Sequence, residues 1–209
     1  MSRAEKLTKF LVNLRSDVYL PTFDHIQWVT DQNQLTALRL FELVTKINWK
    51  DLKVLEVGFG EGFMLEQFRD AGAVPTGIGL DRDNYKSCDD KGFDVSIMDQ
   101  SFMDFPDGTF DVLWSQHVLE HSIFPFFTLH EYKRVVRSGG LIYIEVPAPD
   151  TSFNHQDDPN HYSVFGKSAW LSLMARTGLR IVDHAELNSL KDSWQDNKYF
   201  SFILRKEEK

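Results

Sequence analysis

Three glycines at alternate positions, Gly58, Gly60 and Gly62, stand directly behind one apolar run and directly ahead of another. The first run, Val54, Leu55 and Val57, reads as a short strand buried on both faces. The second, Phe63, Met64, Leu65 and Phe68, reads as an amphipathic helix that Gly72 stops. Glycines in such a turn let backbone approach a ligand where any Cβ would collide, and the helix N-terminus adds unpaired N–H groups. The spacing also narrows the ligand. A dinucleotide turn runs Gly-x-Gly-x-x-Gly, but Phe63 stands where its third glycine would be, and Glu56 lies two residues before the first. A carboxylate there repels a pyrophosphate and suits a ligand carrying an ammonium or another cation.

The chain of 209 residues allows one α/β domain with modest additions. A 42% hydrophobic share predicts a real core. The net charge of −8 argues against general nucleic-acid binding, which needs a basic face. The single cysteine, Cys88, excludes an intramolecular disulfide and fits a reducing cytoplasm. The first ten residues lack an apolar signal core, and no apolar run approaches the roughly 20 residues that cross a bilayer.

Residues 1–50 are expected to form a helical extension or lid, and 51–209 the ligand-binding domain. Leu7, Phe10, Leu11, Leu14 and Val18 fall at helical spacing up to Pro21, and a second helix is expected from about Gln34 to Ile47. Tyr19–Trp28, between them, is a candidate lining of the substrate site. Val74–Asp81 reads as a second strand ending in an acid about 20 residues beyond the glycine turn, where a carboxylate can accept from ribose hydroxyls; Arg82 stands beside it. Phe93–Met98 reads as a third strand with Asp99 at its tip, able to accept from an adenine amino group. Pro106-Asp107-Gly108 is a turn. Asp111–Ser115 is a fourth strand, Pro125 opens a helix that Ser138-Gly139-Gly140 ends, and Leu141–Pro147 is a fifth strand. The long polar loop Ala148–Phe165 leaves that strand's tip, where ligands of open α/β sheets bind. After a helix near Ser168–Arg176 come strands Leu179–Val182 and Tyr199–Leu204, joined too closely for a crossover helix and therefore antiparallel.

Glu56-Val-Gly-Phe-Gly-Glu-Gly62 resembles the first motif of the class I S-adenosylmethionine-dependent methyltransferases, of the type 11 or type 23 kind. The resemblance continues down the chain. Asp99 and the stretch Phe105-Pro-Asp-Gly-Thr-Phe-Asp111 are similar to the family's Asp … Phe-Pro-Asp-Gly-Ser-Phe-Asp segment. Arg134–Gly140 is similar to Arg-Val-Leu-Lys-Pro-Gly-Gly, with Ser138 in place of proline. It covers roughly residues 50 to 205. It implies a doubly wound, mostly parallel seven-stranded sheet in the order 3-2-1-4-5-7-6, last strand antiparallel, with helices on both faces. It further implies S-adenosyl-L-methionine as cofactor and S-adenosyl-L-homocysteine as product. Glu56 would hold the methionine ammonium; Gly58, Phe59, Gly60 and Gly62 would form the cofactor's turn. Asp81 and Arg82 would serve the ribose, Asp99 and Gln100 the adenine, and Gln116 and His117 the sulfonium end.

His117-x-x-Glu120-His121 also matches the pattern of inverted zinc peptidases, in which two histidines on one helix face take a metal. It follows directly on a fourth-strand pattern, however, where the methyltransferases carry similar letters, and no metal is expected. If the acceptor needs a base, His117, His155 and His161 are the candidates, with His161 and His117 preferred as the catalytic pair. An acidic chain without a separate substrate domain points to a small-molecule acceptor, and Phe59, Trp28 and Tyr162 would suit a partly apolar one. An NAD-dependent oxidoreductase, an aminopropyltransferase and a non-catalytic methyltransferase-like binding module are the competing readings.

Overall fold

A computed structural model describes residues 2, 5, 6, 9, 31–188 and 197–208. The chain divides into two compact units, Met1–Thr30 and Asp31–Lys209. In the first, Glu5, Lys6 and Lys9 are helical, and the Ser2 hydroxyl accepts from the Glu5 backbone N–H at 3.1 Å, as an N-cap does. The expected helix through Val18 and the Tyr19–Trp28 lining lie outside the described residues.

The second unit is a seven-stranded sheet in the order β3-β2-β1-β4-β5-β7-β6. Its strands are β1 (Lys53–Val57), β2 (Val74–Gly79), β3 (Asp94–Ile97), β4 (Phe110–Gln116), β5 (Val136–Pro147), β6 (Leu179–Asn188) and β7 (Lys198–Lys206). The pairs from β3 to β5 are parallel, and β7 runs antiparallel to both its neighbours. The helices are α1 (Asp31–Thr45), α2 (Phe63–Asp70), α3 (Arg82–Asp90), α4 (Pro125–Val135) and α5 (Lys167–Arg176).

Alternation along the strands sorts the core onto two faces. Val54, Val112, Trp114, Tyr143 and Ile203 pack with Ala37, Leu38 and Phe41 of α1 and with Met64 and Phe68 of α2. Leu55, Leu113, Ile142, Ile144 and Leu204 pack with Leu129, Tyr132 and Val135 of α4 and Trp170 and Met174 of α5. The helix α1, expected within an N-terminal extension, thus belongs to the compact unit of the sheet. Among the described residues no helix is long and apolar enough to cross a membrane.

Two boundaries differ from expectation. Ser138-Gly139-Gly140 does not close α4; the helix ends at Val135 and these residues are already in β5. Val136 pairs with Phe110, and the register then shifts before Val112 meets Leu141. A Cβ on Gly140 would lie 2.6 Å from Val136 Cγ1 and 2.7 Å from the Asp111 carbonyl, so glycine lets the irregularity pass. β6 also runs on to Asn188, because β7 supplies it a partner along its whole length. The signature arginine Arg134 has a structural task. Its guanidinium donates to the carbonyls of Met103 (2.8 Å) and Phe105 (2.6 Å) and to Asp107 (3.1 Å), fastening the Pro106-Asp107-Gly108 turn to α4.

Candidate functional site

The C-terminal ends of β1, β2, β3, β4 and β5 carry the residues singled out in the sequence. Gly58, Gly60 and Gly62 all have positive φ (76, 50 and 88°), which makes the turn glycine-specific before any ligand is considered. Their surroundings differ. A Cβ on Gly58 would lie 2.3 Å from Val118 Cγ2, and one on Gly62 would lie 2.8 Å from Cys88 Sγ, whereas one on Gly60 would meet nothing within 4 Å. Two of the three glycines therefore answer to the protein's own packing, and Gly60 is the one that faces open space. Gly58→Ala is expected to lose about 2–4 kcal/mol, the sum of left-handed strain and overpacking. In urea melts, adding Val118→Ala should restore the packing share but not the backbone share, and Gly60→Ala should show the backbone share alone.

Phe59 corrects one expectation. Its ring is not in the cleft: it is 3% exposed and packs with Leu65, Cys88, Phe93 and Val95. Gly77 and Gly79 of β2 make room for it, since a Cβ on either would come within 2.8 or 3.2 Å of the ring. Only the Phe59 backbone remains beside the turn. Tyr162, by contrast, is 53% exposed, and Trp28 lies outside the described residues. Beneath the turn, burial and the nearby carboxylates of Glu56, Glu66 and Glu61, against the opposing charge of Lys91, push the Cys88 thiol up to about 11, which keeps it unreactive.

Glu56 is 5% exposed on β1. Its Oε2 is buried and has no hydrogen-bond partner among the described residues. Burial raises its pKa well above the usual carboxylate range, with the Leu65 backbone N–H at the start of α2 opposing. A buried carboxylate with an unsatisfied oxygen is costly unless a cation meets it.

Asp81 caps α3: its Oδ1 accepts from the backbone N–H of Asp83 (2.9 Å) and Asn84 (2.8 Å), leaving Oδ2. Arg82 is exposed beside it. Asp99 spends Oδ1 on the Ser101 N–H at 2.7 Å. Gln100 is turned inward. Its amide donates to the Val118 carbonyl at 2.8 Å and accepts from the Tyr132 hydroxyl at 2.6 Å, so both ends are engaged in holding the β4 end to α4.

Past β4 the chain turns sharply at His117, whose φ is +56°. Leu119–His121 is a single 3-10 turn, so His117 and His121 do not share a helix face and the peptidase arrangement is not formed. The His117 ring donates from Nε2 to Glu145 Oε1 at 3.0 Å. Glu145, buried on β5, also accepts from the Gln116 amide (3.1 Å) and from the Tyr143 hydroxyl (2.6 Å). Burial pulls the His117 pKa down, but the hydrogen bond and charge of Glu145, with the charge of Glu120, outweigh it and hold the ring above its ordinary value. Gln116 Oε1 is buried without a partner among the described residues.

The loop after β5 returns over this segment. Ser163 donates from its N–H to the Glu120 carbonyl (2.9 Å) and from Oγ to the Ser122 carbonyl (2.7 Å). Within the loop, His155 Nε2 lies 3.0 Å from Asn197 Oδ1, and burial pulls its pKa down to about 4, with Asn197 opposing. His161 Nδ1 lies 2.8 Å from the His155 carbonyl, and the His161 ring is 4.8 Å from that of His121. No spacing or motif brings His121 and His161 together; only the fold does.

A family model described as a methyltransferase domain matches residues 55–144. No curated protein matches the chain by sequence. Among solved structures, a SAM-dependent methyltransferase from Archaeoglobus fulgidus is similar at TM-score 0.65 and 20% identity, covering 83% of this chain and 94% of that one. A SAM-dependent methyltransferase from Methanosarcina mazei is similar at TM-score 0.66 and 14% identity, covering 77% and 94%. The [4+2]-cyclase SpnF is similar at TM-score 0.68 and 18% identity, covering 96% and 92%. At these identities the structural likenesses speak for the fold alone.

Proposed function

We propose that this chain, a class I S-adenosylmethionine-dependent methyltransferase by its family match and its sheet order, binds S-adenosyl-L-methionine over the glycine turn and methylates a small-molecule acceptor. The observation that carries the reading is Glu56, a buried carboxylate with one oxygen unpartnered among the described residues, set where the turn opens. The amino group of a methionine moiety is the cation that would make its ionisation tolerable. Gly60, with open space where a Cβ would be, fits a close backbone approach. Asp81 keeps Oδ2 for a ribose hydroxyl and Asp99 keeps its second oxygen for an adenine amino group. Gln116, whose carbonyl oxygen has no partner among the described residues, and His117 stand at the end of β4 where the sulfonium end would lie.

The cofactor, when bound, supplies a methyl group made electrophilic by its sulfonium, so the protein's task is orientation more than activation. Glu145 favours the protonated form of His117, which suits that ring to orienting a polar group rather than to abstracting a proton. In His161, Nδ1 faces a carbonyl and must donate, so in the neutral ring Nε2 carries the lone pair that a base needs. The net charge of −8 favours a small acceptor over a polyanion. The lone, buried cysteine fits work in a reducing cytoplasm.

Calorimetric titration with S-adenosylhomocysteine, run beside NAD, tests the reading. Micromolar binding of the first and none of the second is expected. Asp81→Asn keeps the helix-capping oxygen and removes the ribose acceptor. It should weaken binding about 10- to 100-fold, the worth of a hydrogen bond to a charged group, with the thermal midpoint unchanged. Binding of NAD alone, or of neither ligand by folded protein, would overturn the reading.

A further inference from the structure

We infer that Glu120, His121 and His161 form a binding site for a divalent first-row transition metal ion at the end of β4. One donor atom from each lies within 4.8 Å of those of the other two. Donors on one ion at about 2.1 Å stand roughly 3–4 Å apart, so a small closure of side chains seats it.

Three further observations point to a ligand. First, Glu120 is 1% exposed and its Oε2 has no partner among the described residues, a buried acceptor of the kind that costs free energy until a donor or a cation meets it. Second, both imidazoles are already oriented as ligands are. His121 Nδ1 is 2.9 Å from the Asn160 carbonyl and His161 Nδ1 is 2.8 Å from the His155 carbonyl. A carbonyl only accepts, so each Nδ1 carries the proton and each Nε2 presents its lone pair. This is the outer hydrogen bond that fixes the tautomer of metal-bound histidine. Third, the loop is fastened to the turn that carries Glu120: Ser163 bonds the Glu120 and Ser122 carbonyls, which holds His161 over His121. Two neighbours complete the surroundings. His117 Nδ1 is 3.8 Å from Glu120 Oε1, and Asp158 Oδ2 is 3.9 Å from His161 Nε2, where it can add an oxygen donor.

Two imidazoles and one carboxylate suit Zn²⁺, Co²⁺ or Mn²⁺ and leave coordination positions open. The site itself stands on this geometry. Its use rests on the methyltransferase reading: an ion here would hold an acceptor through an oxygen and lower the pKa of an acceptor hydroxyl, which points to hydroxyl-bearing acceptors.

The test is titration of chelator-treated, tag-free protein with Co²⁺ and Zn²⁺ in the absence of cofactor, followed by calorimetry and by the visible spectrum of bound Co²⁺. One ion per chain and a ligand-field spectrum are expected. His161→Gln and Glu120→Gln should each weaken binding by more than about 100-fold, beyond the 10- to 100-fold that loss of an outer partner costs. His184→Gln, at an exposed position on β6, should leave it unchanged. His161→Gln lies in a loop and should melt with the metal-free wild type, so it serves if Glu120→Gln fails to fold. No binding by folded protein, or binding undiminished in His161→Gln, would overturn the site. Parallel titration with S-adenosylhomocysteine separates the two readings: metal without cofactor binding sinks the methyltransferase reading, and cofactor without metal binding sinks this one.

Discussion

Glu56→Gln is expected to weaken S-adenosylhomocysteine binding by about 30-fold or more, because losing one partner of a buried charge pair costs about 2–5 kcal/mol. The same change should leave the ligand-free protein as stable or more stable, because it removes a carboxyl whose ionisation is costly there: its Oε2 has no partner among the described residues, and the Leu65 backbone N–H only partly opposes the cost of burial. Loss of binding with no loss of stability distinguishes a ligand-facing carboxylate from a structural one. The pH dependence follows from the raised folded-state pKa. Between the ordinary carboxylate pKa and that raised value, the folded state holds a proton the unfolded state has released. This contribution to stability therefore falls as pH rises, and the penalty is complete above the raised value. Wild type without ligand should gain stability relative to Glu56→Gln as pH falls through that window. Ligand affinity should run the opposite way, weakening as Glu56 takes up its proton. Calorimetry and thermal melts across this range check both; undiminished binding in Glu56→Gln would remove the central support of the proposed function.

Trp114→Ala is expected to cost about 3–5 kcal/mol, a large part of the 5–15 kcal/mol that holds a typical domain. Trp114 is fully buried, stacks on Tyr143 at 4.0 Å between ring centroids, and meets Phe41 and Phe68 edge-on at 5.6 Å each. It joins strands β4 and β5 to helices α1 and α2 through rings alone. Its indole Nε1 is buried without a partner among the described residues. Trp114→Phe removes that unsatisfied donor while keeping a ring, and should cost less than half as much. A fall in thermal midpoint of roughly 10 °C for the alanine variant, at about 2–4 °C per kcal/mol, is the expected reading. A shift under about 3 °C would show that the cluster is not the keystone of that face.

Much of this was legible because local chemistry states it. A glycine turn between an apolar run and an amphipathic one, an acid about 20 residues on, and the Pro106-Asp107-Gly108 turn each declare themselves within a few residues. What stayed hidden depends on register and on return paths. Phe59 looked like a cleft aromatic because nothing in its own neighbourhood shows that Gly77 and Gly79 leave a hollow for its ring. Gln100 looked like a cofactor neighbour, yet its partners, Val118 and Tyr132, lie 18 and 32 residues away. The pairing of His121 with His161 needed the course of an 18-residue loop that no periodicity predicts. The letters His117-x-x-Glu120-His121 suggested one helix face, and the left-handed backbone at His117 denies it.

The position of β7 bears on how this molecule comes into being. It leaves the ribosome after β6, yet it lies between β5 and β6. Until residues 198–206 emerge, β6 has no neighbour to join and β5 keeps one bare edge. The glycine turn and the five parallel strands β1 to β5 can assemble during synthesis, but the far side of the sheet is sealed only once β7 has been made. In the interval the apolar edge of β5, Leu141 to Val146, is the segment most in need of protection from other nascent chains.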